Sequence, residues 1–388
     1  MNYIFISPQF PSNFKYFVFR LKAHGVKVFG IASDDRSQLE PELSNALDDY
    51  YRVNDMEDYG QVYQAVAYLA YRYGKPDRIE SHNEYWLELD AKLRTDFNVF
   101  GLQASEMDGL RKKSEMKKVF KKIGLEVAQG ETFNTLEEAL HIAKKYHYPV
   151  IVKPNKGVGA AHTYQLQNED ELKQFMMYKP NLPFILEEVI EGDVLTYDGL
   201  IDTNGNLVFE NSFIYDSGVM DNVVLDKDMY YIIQRSIPKD VQAVGQKTIQ
   251  AYHLKERFFH MELFRKDTGT LVGLEINVRP PGGMSMDMFN FANDHDFYDT
   301  YAQLVTGQSV HVPSVKPYYV CYMGVKKNNQ AKRVLTHAQV LENYASLILH
   351  HGPIASIFGP AIGDYTYILR SVDETIINEA AKAIVAQK

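Results

Sequence analysis

A single cysteine, Cys321, is present in the 388 residues. One thiol can close no intrachain disulfide and build no cysteine-based zinc site. Its setting, Tyr318-Tyr319-Val320-Cys321-Tyr322-Met323, reads as a buried core position. No apolar run reaches the roughly 18 residues needed to cross a bilayer. The opening Met1-Asn2-Tyr3-Ile4-Phe5-Ile6-Ser7 has neither the basic segment nor the apolar length of a secretion signal, so a cytoplasmic protein with no membrane partner is expected. Positive charge is also in short supply: 41 Lys and Arg against 50 Asp and Glu leave a net charge of −9. As a whole the chain attracts no polyanion, and nucleic acid is not an expected partner.

Several motifs are missing too. The first strand is followed by Pro8-Gln9-Phe10-Pro11-Ser12-Asn13. No glycine there allows the backbone to approach a pyrophosphate, which excludes a nicotinamide-type dinucleotide fingerprint. There is no Gly-x-Ser-x-Gly elbow and no catalytic cysteine signature. A Met-Lys-Met biotin-carrier segment, internal repeats and low-complexity tracts are likewise absent.

What is present is ordinary in bulk, with 45% hydrophobic and 23% charged residues, as in a globular protein. The length suggests two or three domains. Hydrophobic periodicity predicts strand–helix–strand over residues 3–32, a helix at 59–73 and a strand at 78–81, making 1–100 a small α/β domain with a parallel sheet. Helices are predicted at 114–123, 135–146 and 169–177, and strands at 149–153 and 184–190. More strands follow up to Arg279, and residues 311–388 mix strands with helices near 338–346 and 374–386.

The strongest chemical signal lies between Phe258 and Gly283. Two alternating runs, with His260 and Glu262 on one and Glu275, Asn277 and Arg279 on the other, flank Asp267-Thr268-Gly269-Thr270. This is a hairpin pattern. If Thr268 and Gly269 are the two central turn residues, opposed residues have numbers summing to 537, and Glu262 faces Glu275. Opposed residues have Cβ atoms roughly 4.5–5.5 Å apart, where like charges repel. Two carboxylates with an amide alongside make sense with a cation between them. All-oxygen ligands leaving room for phosphate and water suit magnesium, with manganese as an alternative.

A second signal is Val150-Ile151-Val152-Lys153-Pro154-Asn155-Lys156-Gly157-Val158-Gly159-Ala160-Ala161-His162. A buried strand delivers Lys153 into a loop where Lys156, Gly157, Gly159 and His162 can approach phosphate oxygens. It is neither a Walker loop nor Gly-x-Gly-x-x-Gly, since His162 stands at the third glycine position. A third is Ile185-Leu186-Glu187-Glu188-Val189-Ile190-Glu191-Gly192-Asp193, an apolar strand running into acids. It can offer backbone groups and a carboxylate to an adenine edge, and another acid to ribose.

The order of these signals resembles the ATP-grasp superfamily, in its carboxylate–amine ligase branch, over residues 1–310. The resemblance implies a three-domain architecture of α/β and α+β type: an N-terminal Rossmann-like domain (1–100), an ATP-grasp domain (101–310) with a mobile lid at about 126–195, and a C-terminal α+β subdomain (311–388). It implies ATP phosphates on Lys153 and Lys113, adenine against Glu187, Glu188, Val189 and Ile190, and ribose near Asp193, although the family's acid position after the glycine is Val194 here. It implies magnesium on Glu262, Glu275 and Asn277, Arg279 as the catalytic residue holding the carboxylate, and Gly282 and Gly283 beside the substrate.

The expected activity is phosphorylation of a carboxylate, by resemblance that of an amino acid, to an acyl phosphate that an amine then captures. The alternatives are a bicarbonate-phosphorylating relative and a nucleotide-binding sensor or subunit without turnover. Glu84 is read as either an amine ligand or a strand-end surface acid. Met284, Met286, Met288 and Phe289 are read as pocket lining or core. A homodimer is a family expectation.

Overall fold

The computed structural model describes residues 1–157, 162–216 and 226–388. Gly159 lies outside them, as do residues 217–225. The chain opens with β1 (Asn2–Ile6), β2 (Lys27–Ala32), β3 (Asp49–Arg52) and β4 (Arg78–Glu80), which form a parallel sheet in the order β3-β2-β1-β4. The helices at Lys15–Ala23 and Tyr59–Tyr73 link its strands, as the apolar spacing predicts. Asp58 caps the second helix by accepting from the N–H groups of Gly60 and Gln61.

The short β5 (Glu126–Val127) is followed by a separate sheet of β6 (Gly130–Phe133), β7 (Val150–Pro154), β8 (Tyr164–Leu166) and β9 (Phe184–Glu188), in the order β6-β9-β7-β8. Helices Leu136–Tyr146 and Glu169–Tyr178 cover one side of it, closing a core of Phe133, Ala139, Val150, Val152, Leu172, Phe184 and Leu186. The remaining strands are β10 (Asp193–Ile201), β11 (Leu207–Asn211), β12 (Phe213–Tyr215), β13 (Met229–Ile233), β14 (Arg257–Arg265), β15 (Leu271–Asn277), β16 (Tyr319–Val325), β17 (Ile348–Pro353) and β18 (Tyr365–Ser371). With β5 they make one ten-stranded sheet, ordered β17-β18-β16-β13-β12-β10-β14-β15-β5, with β11 also paired to β10. Residues 311–388 thus contribute three strands to the same sheet that carries the β14–β15 hairpin.

One core runs from the N-terminal sheet into this large sheet. Tyr3, Phe5 and Phe17 pack in the same cluster as Phe258, Phe289 and Tyr301. Met286, Met288 and Phe289 belong to it and are fully buried, which makes them core rather than pocket lining. They sit on a helix, Ser285–Asn293, that the sequence reading left out; a second unanticipated helix, Phe297–Val305, packs against it.

Gly273 has a specific task. A Cβ there would lie 2.8 Å from both Phe120 and Leu125. Its absence lets the helix Lys113–Lys122 settle onto β15 and brings Lys113 to the strand that bears Glu275.

Candidate active site

The β14–β15 hairpin places Glu262 directly opposite Glu275 and His260 opposite Asn277. The route differs from the expected two-residue turn. Lys266 N–H bonds to Thr270 C=O at 3.0 Å, Gly269 N–H bonds to Lys266 C=O at 2.7 Å, and Gly269 has φ of 85°. This is a three-residue loop with glycine in the left-handed position. Near the turn the pairs are Arg265–Leu271, Phe264–Val272 and Leu263–Gly273, so their numbers sum to 536 instead of 537. Leu274 on β15 is the extra residue of a bulge facing Glu262 and Leu263, and it restores the expected pairing from Glu262 onward. The two offsets cancel at the carboxylates.

Like charges so placed need neutralising. Lys113 Nζ lies 3.2 Å from Glu275 Oε2, and Asn277 Nδ2 donates to Glu275 Oε1 at 3.0 Å. Burial disfavours the charged form of Glu275, but Lys113, the Asn277 hydrogen bond and Lys153 outweigh it and hold this carboxyl well below the usual range. Lys113 is itself buried, and Glu275 keeps its ammonium charged against that cost. On the facing strand, His260 Nε2 lies 3.1 Å from Glu262 Oε1, and Nδ1 lies 2.6 Å from Asp198 Oδ1. With a carboxylate at each ring nitrogen, both must donate. Burial opposes that charge on His260, but Asp198 and Glu262 outweigh it and push the imidazole pKa up to about 9.

A second group stands beside this one. Glu187, at the end of β9, is buried between Lys153 Nζ (2.8 Å) and Lys117 Nζ (3.0 Å). Burial would raise its carboxyl, and the two ammonium groups pull it down. The Glu187 side chain is therefore engaged internally by the two lysines. Lys117 also donates to Ala128 C=O at 2.8 Å. The start of its helix is tied to the end of β7: Asn155 C=O accepts from Lys113 N–H at 2.7 Å, and Asn155 Oδ1 accepts from Ser114 N–H at 2.9 Å.

Beyond Asn277, Arg279 Nη2 donates to Glu84 Oε2, while Arg111 Nη1 donates to Glu84 Oε1 at 2.9 Å. Glu84 is buried and neither of its oxygens is presented to solvent as a surface acid's would be; both hold arginines. The backbone turns at Gly283 with φ of 63°, and Gly283 C=O accepts from Asn13 Nδ2 at 3.3 Å, while Gly282 C=O accepts from Ser285 Oγ at 2.8 Å.

Other sequence candidates make their contacts elsewhere. Lys156 is exposed and pairs with Glu88. His162 is exposed, 3.4 Å from Tyr164 Oη. Gly157 is half-buried against Pro154, and Glu188 accepts from Gln129 N–H at 2.7 Å. Val189 and Ile190 are half-buried, and Asp193 is exposed opposite Arg265.

Arg111 and Lys117 were not singled out from the sequence. Lys117 follows Lys113 by four residues, so both lie on one helix face. Met116 and Phe120 beside them are buried, and lysines interleaved with such residues are a legible signal.

Hard oxygen donors from Glu262, Glu275 and Asn277, with lysines 113 and 153 nearby, fit a divalent cation carrying phosphates. Among the described residues, no cluster of three or more His, Cys, Asp or Glu side chains is arranged to hold an ion by itself. Two carboxylates and an amide leave the remaining positions for phosphate oxygens and water. A cavity of about 540 Å³ lies away from this chemistry, between Asp202–Asn204 and Gly307–Val312. Among the described residues no helix is long and apolar enough to cross a membrane.

The fold and the matched segment agree on one class: residues 146–288 match the ATP-grasp domain family, and the chain has the ATP-grasp fold. Among its relatives, it is 24% identical over 257 residues to the L-arginine-specific L-amino acid ligase of Bacillus subtilis, covering 64% of this chain and 62% of that one, less than two thirds of the relative's length. In structure it is similar to an L-amino acid ligase from Bacillus licheniformis (TM-score 0.72, 15% identity, 100% of this chain and 99% of that one). It is also similar to N5-carboxyaminoimidazole synthetase from Staphylococcus aureus complexed with ADP (TM-score 0.73, 15% identity, 97% and 95%).

Proposed function

We propose that this protein is an ATP-dependent carboxylate–amine ligase acting on a free amino acid as its carboxylate substrate. The observation that carries the reading is the facing pair Glu262–Glu275, with Asn277 and Lys113 against Glu275 and Arg279 two residues beyond Asn277. Similarity to two amino acid ligases supports the choice of substrate.

A carboxylate is a poor electrophile at neutral pH. In the proposed reaction one carboxylate oxygen attacks the γ-phosphorus of ATP, the bond to the β–γ bridging oxygen breaks, and ADP leaves. The amine nitrogen then attacks the acyl carbon, phosphate departs with the original carboxylate oxygen, and the nitrogen loses a proton. Glu262, Glu275 and Asn277 would hold magnesium, whose charge supplies electrostatic stabilisation to the transferring phosphoryl group. Lys113 and Lys153 would bind the phosphates, with Lys156, Gly157 and His162 closing over them. Glu188, Val189 and Ile190 would line the adenine, and Asp193 would meet ribose. Arg279 would clamp the substrate carboxylate in its planar fork. Gly282 and Gly283 would give it room beside the backbone, and Glu84 would set the direction of Arg279. Lid closure would exclude the water that hydrolyses an acyl phosphate.

Hydroxylamine trapping tests this reading. The protein is incubated with magnesium-ATP, hydroxylamine and a panel of L-amino acids and simple carboxylic acids. A hydroxamate formed together with ADP, and lost in Glu275→Gln, is expected. ADP release without hydroxamate across amino acids and carboxylic acids alike, with bicarbonate as the stimulating substrate, would replace the reading with a bicarbonate-phosphorylating enzyme.

A further inference from the structure

Two rows of polar side chains cross the large sheet at the site, in register over β10, β14 and β15. One row is Asp198, His260 and Asn277; the next is Thr196, Glu262 and Glu275. Side-chain hydrogen bonds tie the two rows into one relay, Thr196–Asp198–His260–Glu262. Phe213 N–H donates to Thr196 Oγ1 at 3.0 Å, which directs the Thr196 hydroxyl to Asp198 Oδ2 at 2.5 Å. Asp198 Oδ1 accepts from His260 Nδ1 at 2.6 Å, and His260 Nε2 donates to Glu262 Oε1 at 3.1 Å. Asp198 and Thr196 are 0% exposed, so neither is available to a nucleotide or a substrate.

Burying a carboxylate and an imidazole costs several kcal/mol of desolvation, and an apolar pair of similar size would serve stability as well or better. The row makes sense by what lies at its end. Glu262 is the one partly exposed member of the chain, and a free carboxylate there could rotate away from Glu275.

We propose that Asp198 and His260 are positioning residues that fix one oxygen of Glu262 and so hold its carboxylate in the orientation in which it shares a divalent cation with Glu275. Thr196 fixes Asp198 in turn. The inference rests on the reading of Glu262 and Glu275 as cation ligands; it does not require that the chain be a ligase.

The test is manganese binding, read by electron paramagnetic resonance, to the full chain with a non-hydrolysable β,γ-imido analogue of ATP. Partners that orient a metal-binding carboxylate typically contribute about 10–100-fold in metal affinity. His260→Asn retains an amide toward Asp198 but cannot reach Glu262, and is expected to weaken manganese by about that factor. Asp198→Asn is expected to do the same. His260→Gln, whose amide nitrogen reaches toward Glu262, is expected to lose less than His260→Asn. Thr196→Val is the mild variant should the others fold poorly, and is expected to lower manganese affinity with its melting temperature nearly intact. Metal-free analogue affinity should stay unchanged in all four.

Glu262→Gln separates the layers of the argument. If it binds manganese as the native protein does, the reading of Glu262 as a ligand fails and the proposal with it. If Glu262→Gln is impaired but folded His260→Asn, Asp198→Asn or Thr196→Val bind manganese normally, the positioning proposal alone is overturned. Equal losses in His260→Asn and His260→Gln that track only melting temperature would also overturn it.

Discussion

Arg279 lies against the carboxylate of Glu84, a residue 195 positions earlier in the chain, and Arg111 holds the other oxygen of the same carboxylate. One acid from the segment after β4 thus orients two guanidinium groups, one of which follows β15 beside the proposed cation ligands. Removing it leaves a half-buried and a buried arginine without their partner. Truncating one side of such a buried pair costs about 3–5 kcal/mol. Glu84→Ala is therefore expected to lower the denaturation midpoint markedly and to raise the KM for the carboxylate, with nucleotide affinity nearly unchanged. Denaturant melts and steady-state kinetics check both parts.

Lys113 and Glu275 form a coupled pair rather than two independent sites. Lys113→Met and Glu275→Gln should each destabilise the chain, and the double variant should be more stable than the two losses summed. Contacting charged residues show coupling of about 0.5–3 kcal/mol in such cycles. Denaturant unfolding of the four proteins measures it; strict additivity would mean that the 3.2 Å contact carries no energy.

The acid limb of stability should bear the mark of Glu187. Its carboxyl is held down in the folded chain by Lys153 and Lys117, against the cost of burial. In the unfolded chain a glutamate titrates near about 4.3. A depressed folded value means that the stabilisation is fully present above that unfolded value and is lost as pH falls toward the folded one. Glu187→Gln is expected to flatten the fall in stability as pH drops below about 4.3, the unfolded value. An unchanged acid limb would contradict the ion-pair assignment.

Gly273 links the fold to the site. Alanine there places a methyl carbon 2.8 Å from Phe120 and Leu125 and must push the Lys113–Lys122 helix away from β15. Overpacking of this kind costs about 1–3 kcal/mol. Gly273→Ala should lower both the melting temperature and the affinity for ATP, whereas Gly269→Asn, in the open hairpin loop where nothing lies within 4 Å, should change ATP affinity little.

Much of this arrangement is legible in the sequence because it rests on short-range pattern. Alternation about Asp267–Thr270 specifies the hairpin, and the opposition of Glu262 and Glu275 follows from it, although by a three-residue loop and a bulge that cancel rather than by a two-residue turn. The lysine at the end of β7 and the amphipathic helix beginning at Lys113 follow from periodicity in the same way. The two helices over 285–305 escaped because most of their residues are buried, which removes the one-sided apolar stripe that betrays a surface helix. The partners of Glu84 and Glu187 were not legible at all. Both engage charges from distant segments, and no spacing rule connects residues 84 and 279 or residues 117 and 187.

The central claim is transfer of phosphate to a carboxylate, and an oxygen label tests it most directly. Once trapping has named the amino acid and a competent amine, the acid is supplied with both carboxylate oxygens as ¹⁸O, and the inorganic phosphate released with ADP is analysed by mass spectrometry. The account predicts one ¹⁸O in each phosphate formed, delivered from the carboxylate when the amine displaces it. Unlabelled phosphate alongside a labelled amide product would mean that the carboxylate never received the phosphoryl group, and would contradict it.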